Sequence, residues 1–282
     1  METLLLILKS ALLGFVEGIT EFLPISSTGH LIIVENLIGF SGLTPQYVEM
    51  YTYVIQLGAI LAVVVLYWKK IVDTLVNFFP AKAGYERSGL RFWLMIVIAC
   101  IPGFICQVLL DDLADYYFFN AVSVAIALFA GGVWMIYAER KLKDNGAVSQ
   151  EIHLTARQAL TVGLFQCLAI IPGMSRSAST IIGGWVAGLS TVAAAEFSFF
   201  LAIPALVGVS FMKLLEIGGT AALGQSEYVS LAIGFGVAFV VALFVVDRFI
   251  AYLKHNPMRG FAFYRMGFAL LVLGAGAMGL FR

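Results

Sequence analysis

Six apolar runs, each close to the length needed to cross a lipid bilayer, constrain this chain more than any other feature. They run approximately from Tyr51 to Trp68, Phe92 to Leu110, Phe118 to Ala138, Glu196 to Leu214, Tyr228 to Val246 and Phe261 to Phe281. A hydrocarbon core of about 30 Å takes about 20 consecutive apolar residues in a helix. With 61% hydrophobic and 12% charged residues, the 282-residue chain lacks the polar surface of a soluble domain. Its 23 phenylalanines suit a surface facing lipid. A formal net charge of zero leaves no electrostatic footprint for nucleic acid. The N-terminus, Met1-Glu2-Thr3, lacks the basic region of a cleaved signal peptide, so the first apolar stretch is expected to stay in place.

The connections between the runs differ in charge. The loop after the first run carries Lys69, Lys70, Lys82, Arg87 and Arg91. The loop after the third carries Arg140, Lys141, Lys143 and Arg157, and that after the fifth Arg248, Lys254 and Arg259. The connection Asp111-Asp112-Leu113-Ala114-Asp115, read as a solvated turn, and the connection from Glu216 to Glu227 carry no Lys or Arg. Basic loops stay in the cytoplasm, and alternation of six spans puts all three on one side.

Two apolar segments, Leu4 to Phe40 and Leu160 to Leu189, are interrupted by Pro, Gly and Ser. The second leaves and regains the cytoplasmic side, as a re-entrant hairpin does when it is buried among helices. The segments resemble each other. Gly14-Phe15-Val16-Glu17 aligns with Gly163-Leu164-Phe165-Gln166, and Pro24-Ile25-Ser26-Ser27-Thr28 with Pro172-Gly173-Met174-Ser175-Arg176-Ser177 across one gap. Three spans follow each, so the copies have opposite orientation. The expected fold is an all-α polytopic membrane protein. It is a single domain over residues 1–282, with six transmembrane helices and two re-entrant hairpins in an inverted 3+3 repeat. The halves run approximately 1–138 and 157–282. Such repeats place a polar site near the midplane.

The chemistry-bearing residues fall in the two interrupted segments. Glu17 and Glu21 lie four apart on one helix face in apolar surroundings. Carboxylates there are costly unless paired, solvated or bound to a cation. This points to a divalent-cation site, or to one ligand and one general base. The alternative is a surface helix with both groups in water. Pro24 then stops the helix, and Ser26, Ser27 and Thr28 stand at a new helix start, where free N–H groups bind phosphate. His30 beside these hydroxyls can activate an oxygen nucleophile or protonate a leaving oxygen; the plainer reading is capping with a buried imidazole. Arg176 is the one charge between Arg157 and Glu196. Its fork suits phosphate oxygens, with Ser175, Ser177 and Thr180 donating alongside; the alternative is an ion pair with Glu17 or Glu21. Gln56 and Glu196 either line the cavity or link helices. His153 and His255 are read as solvated. Cys100, Cys106 and Cys167 are read as small buried hydrophobes, without a disulfide or thiolate metal site.

The run from Glu17 to His30, Glu-Gly-Ile-Thr-Glu-Phe-Leu-Pro-Ile-Ser-Ser-Thr-Gly-His, closely resembles the first signature of the bacterial undecaprenyl-diphosphate phosphatase family, which is linked to bacitracin resistance. Pro172 to Thr180 is similar to its second signature, and Gln56 to Val63 is similar as well; the resemblance covers essentially the whole chain. It implies hydrolysis of undecaprenyl diphosphate to the monophosphate carrier of cell-wall synthesis. It implies divalent-cation dependence (Mg2+ or Ca2+) and a bacterial plasma membrane, with a site open to the periplasmic or outer face. It implies that bacitracin acts on the lipid substrate rather than on the protein. By motif position, Glu17, Glu21, Ser27, His30 and Arg176 are the essential residues it implies. Ser27 is the first choice of nucleophile, with His30 as base or acid; His30 itself or an activated water stays open, as does a homodimer. The rival class is a transporter or flippase of a lipid phosphate or small anion using the same cavity.

Overall fold

The computed structural model describes residues 2–40, 43–80, 84–85, 88–118, 120–143, 154–216 and 223–279. Lys82, Arg87, His153, Phe281, the side chain of Asp115 and much of the Glu216–Glu227 connection lie outside the described residues. The helices, in chain order, are α1 (Glu2–Thr20), α2 (Ser27–Leu37), α3 (Pro45–Leu66), α4 (Trp68–Val76), α5 (Gly89–Phe118), α6 (Ala121–Leu142), α7 (Ala156–Gln166), α8 (Arg176–Val186), α9 (Thr191–Glu216), α10 (Gln225–Leu253) and α11 (Arg259–Ala277). A 3-10 turn, Cys167–Ile170, extends α7. Local sequence sets several starts. Pro45 occupies the first turn of α3, and Asn120 caps α6 by accepting from the Ser123 N–H at 3.0 Å. Thr155 and Gln158 form a reciprocal capping box on α7.

Among the described residues, seven helices are long and apolar enough to cross a membrane, one more than the apolar runs suggest. The chain is a multi-pass membrane protein. The additional helix is α1, which runs unbroken for 19 residues. Its break at Pro24 comes after that length rather than within it, so the first interrupted segment is a full-length helix followed by a short one. The other six match the apolar runs, and α5, α9 and α10 extend past both expected ends. In particular, α5 continues to Phe118, which places Asp111 and Asp112 in helix and not in a solvated turn. Asp111 pairs with Lys213 at 3.3 Å and accepts from Gln107. The continuous helix and an ion pair outweigh the turn propensity of the aspartates.

The basic connections gather at one end. The Arg91 guanidinium donates to the Leu154 carbonyl at 3.0 Å, and the Glu139 carboxylate accepts from the Arg259 N–H at 3.0 Å. These contacts join the loops after the first and third runs, and after the third and fifth, as the charge pattern requires.

Packing is tightest where small residues let backbones meet. Helix α10 lies between α1 and α3, α5 packs on α7, and α6 lies along α11. Gly14 and Gly18 of α1 press on Gly234 and Ala238 of α10, a small-xxx-small contact on both partners. Gly163 of α7, the aligned counterpart of Gly14, rests in the same way on the Ala99 carbonyl of α5. A Cβ at Gly14 collides with the Gly234 carbonyl, whereas one at Gly236 meets nothing within 4 Å. Gly14→Ala is therefore expected to destabilise the chain by about 1–3 kcal/mol, while Gly236→Ala stays within about 0.5 kcal/mol. Thermal unfolding in detergent measures both, and equal transitions for the two variants would contradict this packing.

Candidate active site

The site is built from two chain breaks. After α1 the chain turns through Pro24, whose missing N–H disfavours further helix, and Ser26 opens α2 by accepting from the Gly29 N–H at 3.4 Å. After α7 it turns through Pro172, and Ser175 opens α8 by accepting from the Ala178 N–H at 3.3 Å. Ser26 has φ 71° and Ser175 φ 70°; among the described residues they are the non-glycine residues with positive φ. Left-handed backbone at an L-residue costs about 1–2 kcal/mol, and such strain concentrates at functional sites. The two serines are aligned in the sequence match, and the structure gives them the same cap and the same backbone.

The breaks meet inside the helical bundle. Arg176 donates through Nη2 to Glu21 Oε1 at 3.1 Å and through Nη1 to the Ser198 carbonyl at 3.1 Å. Ser27 Oγ donates to the other Glu21 oxygen, Oε2, at 2.7 Å. One carboxylate thus gathers a guanidinium and a hydroxyl from chain positions 155 residues and 6 residues away. The Ser177 hydroxyl closes the junction by donating to the Leu23 carbonyl at 2.9 Å. Thr180 bonds the Ser198 hydroxyl at 2.6 Å and donates back to the Arg176 carbonyl at 2.8 Å. Ser177 and Thr180 are fully buried. Their hydroxyls knit the loops together and do not face the cavity.

A cavity of about 750 Å³ opens over this junction. Glu21, Ser26, Ser27, Thr28, Ser175 and Arg176 line its deep end, together with Gln56 and Gln166. Asp111, Asp112 and Lys213 line it as well. Ser198 and Lys213 both lie on α9, 15 residues apart by number, so the axial span from the Arg176 anchor to the Lys213 end is about 22 Å. The Asp111–Lys213 end is opposite the basic connections. Cys100, Cys106 and Cys167 are half-buried and line the cavity wall, which corrects their reading as core residues. Gln56 proves to be a cavity residue. Glu196 instead links helices, accepting from Tyr67 at 3.4 Å and pairing with Lys70 at 3.5 Å. His255 is exposed.

Glu17 and His30 are not on the cavity wall. Glu17 is fully buried one helical turn from Glu21, and neither of its carboxylate oxygens has a hydrogen-bond partner among the described residues. A bare buried carboxylate costs several kcal/mol, so the position demands a cation, a proton or a ligand. Arg176 Nε and Gln166 Oε1 also have no partner among the described residues. His30 stands behind the first loop. Its Nδ1 donates to the Ser26 carbonyl at 2.7 Å, which leaves Nε2 to accept from the Tyr264 hydroxyl at 2.9 Å. Its ring stacks on Phe268 with centroids 3.8 Å apart.

The donor set fits a hard divalent cation in kind. Glu17 offers two unused oxygens, and Glu21 and Ser27 add oxygen ligands of the type Mg2+ and Ca2+ prefer. Among the described residues no group of three or more His, Cys, Asp or Glu side chains converges, so phosphate and water oxygens would complete the shell.

Sequence reasoning missed Tyr264, Phe268 and Arg265. Arg265 was visible as a charge within the sixth apolar run, the same signal that singled out Arg176. The placement of the site residues yields a labelling test. In a background lacking Cys100, Cys106 and Cys167, Ser27→Cys and Gln56→Cys are expected to react with a water-soluble maleimide much faster than His30→Cys. Equal rates at the three positions would contradict the cavity described.

With the geometry in place, comparison with known proteins gives a consistent picture. The family model described as "Bacitracin resistance protein BacA" matches residues 10–271. An undecaprenyl-diphosphatase of Ruminiclostridium cellulolyticum is 63% identical, with all of both chains covered. An undecaprenyl-diphosphatase of Clostridium tetani is 51% identical over 96% of this chain and 97% of its own. One of Clostridium novyi is 50% identical over 97% of each. The chain belongs to the bacitracin resistance protein BacA family.

Proposed function

We propose that the chain is a membrane-embedded phosphatase that hydrolyses undecaprenyl diphosphate to undecaprenyl phosphate and inorganic phosphate, recycling the lipid carrier of cell-wall synthesis. The observation that carries this reading is the convergence of Arg176, Glu21 and Ser27 at the deep end of one cavity, in a chain whose relatives carry that activity in their names. Phosphoryl transfer gains mainly from positioning and from neutralising charge on the phosphoryl oxygens. Arg176 contributes a planar fork, and the starts of α2 and α8 contribute N–H groups and the hydroxyls of Ser26, Thr28 and Ser175. Substrate oxygens compete with Glu21 for the guanidinium and free that carboxylate for proton transfer.

Ser27 is the nucleophile on this reading. Its Oγ attacks the terminal phosphorus, and its proton passes to Glu21, the group it already contacts. The P–O bond to the undecaprenyl phosphate breaks, and water then hydrolyses the phosphoserine to restore Ser27 and release inorganic phosphate. His30 serves by fixing the Ser26 carbonyl, and hence the strained start of α2. Glu17, with the Glu21 oxygen not used for proton transfer, would hold a divalent cation, Mg2+ or Ca2+, which when bound would neutralise charge on the diphosphate.

The inverted 3+3 repeat and the re-entrant character of the Leu160–Leu189 segment are part of the same proposal. Their support is the matched pair Ser26 and Ser175, the matched glycines Gly14 and Gly163, and the shortness of α8 at 11 residues. The proposed setting is the bacterial plasma membrane, with the cavity opening to the outer face. The presence of Asp111, Asp112 and Lys213 on the cavity wall, at the end away from the basic connections, supports that opening. Bacitracin on this reading acts on the lipid substrate, and a homodimer is not needed to complete the site, since every group named comes from one chain.

Phosphate release from a short-chain prenyl diphosphate in detergent, with and without chelator, tests the activity. Glu21→Gln is expected to lower kcat by about 10²–10⁴-fold. Ser27→Ala is expected to abolish acid-stable phosphoenzyme together with turnover. Wild-type turnover in Ser27→Ala removes the serine route.

A further inference from the structure

We propose that α11 is a brace that sets the peptide planes of both catalytic loops, with Arg265 and Tyr264 as positioning residues for the phosphoryl-transfer step. The proposal rests on the phosphatase reading above and adds a second arginine that never touches the substrate.

Arg265 is fully buried, and among the described residues no carboxylate lies within ion-pair distance of it. Its donors go to backbone carbonyls instead. Nε donates to Leu128 at 3.1 Å, and Nη2 to Gly173 at 2.6 Å and Met174 at 3.0 Å. Nη1 reaches the Pro24 carbonyl at 3.5 Å. Pro24 belongs to the loop before α2, and Gly173 and Met174 to the loop before α8. One guanidinium therefore fastens both loops to α11 and, through Leu128, to α6. The neighbouring residue adds a second fastening. Tyr264 donates to His30, and His30 donates to the Ser26 carbonyl. Four loop carbonyls, those of Pro24, Ser26, Gly173 and Met174, are thus held from the α11 side.

Holding a carbonyl also aims an amide. In a trans peptide the C=O and N–H point in opposite directions, so anchoring the Met174 carbonyl on Arg265 turns the Ser175 N–H away from α11. Ser175 lines the cavity beside Arg176. Its N–H is then free to donate to an anion in the cavity, as is the Ser27 N–H after the anchored Ser26 carbonyl, whereas the Ile25 and Met174 amides bond the Leu23 and Ile171 carbonyls within their own loops. A buried guanidinium without a counter-ion is expensive unless its donors are satisfied, and here backbone carbonyls satisfy them. The uncompensated charge also favours an anionic ligand on the other side of the loops. A lysine keeps the charge but reproduces this only in part, because it is a point donor without the planar fork.

The test uses the full-length chain in detergent with Arg265→Lys, Arg265→Gln and Tyr264→Phe, reading kcat, KM and the thermal unfolding transition. Displacing a reacting group by about 1 Å can cost about 100-fold in rate. The expected result is a graded fall in kcat per folded molecule. Arg265→Gln falls furthest, Arg265→Lys is partly rescued, and Tyr264→Phe is reduced less, with KM changed by less than about threefold throughout. If Arg265→Gln does not fold, the other two variants decide the matter. Wild-type kcat in both, or a loss that only tracks the unfolded fraction, overturns the brace. Failure of the underlying reading looks different: the wild-type chain itself then releases no phosphate.

Discussion

The ion pair between Arg176 and Glu21 is the contact on which the rest of the site depends. It joins a residue at the start of α8 to one just beyond the end of α1, at 3.1 Å and with side chains only 11% and 6% exposed. A pair buried this deeply recovers little net stability, because both charges lose their water. Its value is that it fixes where two distant loops meet. Removing either partner leaves the other charge stranded in an apolar bundle, at several kcal/mol. The pair is also unfinished, since Arg176 Nε and both oxygens of neighbouring Glu17 have no partner among the described residues. A site with unused donors and acceptors this close together is prepared for a ligand carrying oxygens on one side and a cation on the other.

The surrounding structure serves to bring the loops together and hold them open to the cavity. Small residues let α1 sink against α10 and α7 against α5, which carries the ends of α1 and α7 into the interior. Pro24 and Pro172 follow those ends, and Ser26 and Ser175 restart the chain with the same left-handed backbone. That backbone is strained, and carbonyl bonds from His30 and Arg265 keep it in place. The polar network is therefore layered. Groups facing the cavity bind and react, and groups behind the loops hold them at that work.

Much of this was readable from the residues. Glu17 and Glu21 four apart in an apolar run, hydroxyls after a proline, and an arginine inside an interrupted segment each conflict with lipid, and only a buried polar site resolves the conflict. The alignment of the two interrupted segments anticipated the shared geometry of Ser26 and Ser175. What the sequence hid were directions and partners. Spacing places His30 one turn from Ser26 but does not say that its ring turns toward Tyr264 and Phe268, away from the cavity. Asp111 reads as a turn residue by local propensity, yet the ladder of α5 and the pairing with Lys213 keep it helical. Cys106 and Cys167 read as core because apolar character does not distinguish a packed wall from a cavity wall.

A double-mutant cycle on Glu21→Gln and Arg176→Gln, followed by thermal unfolding and phosphate release, tests the junction of the two loops most directly. The account predicts strong non-additivity, with the double variant no worse than the more damaged single variant, because the two side chains act as one unit. Losses that simply add would mean that the two residues work independently, and the shared site described here would not exist.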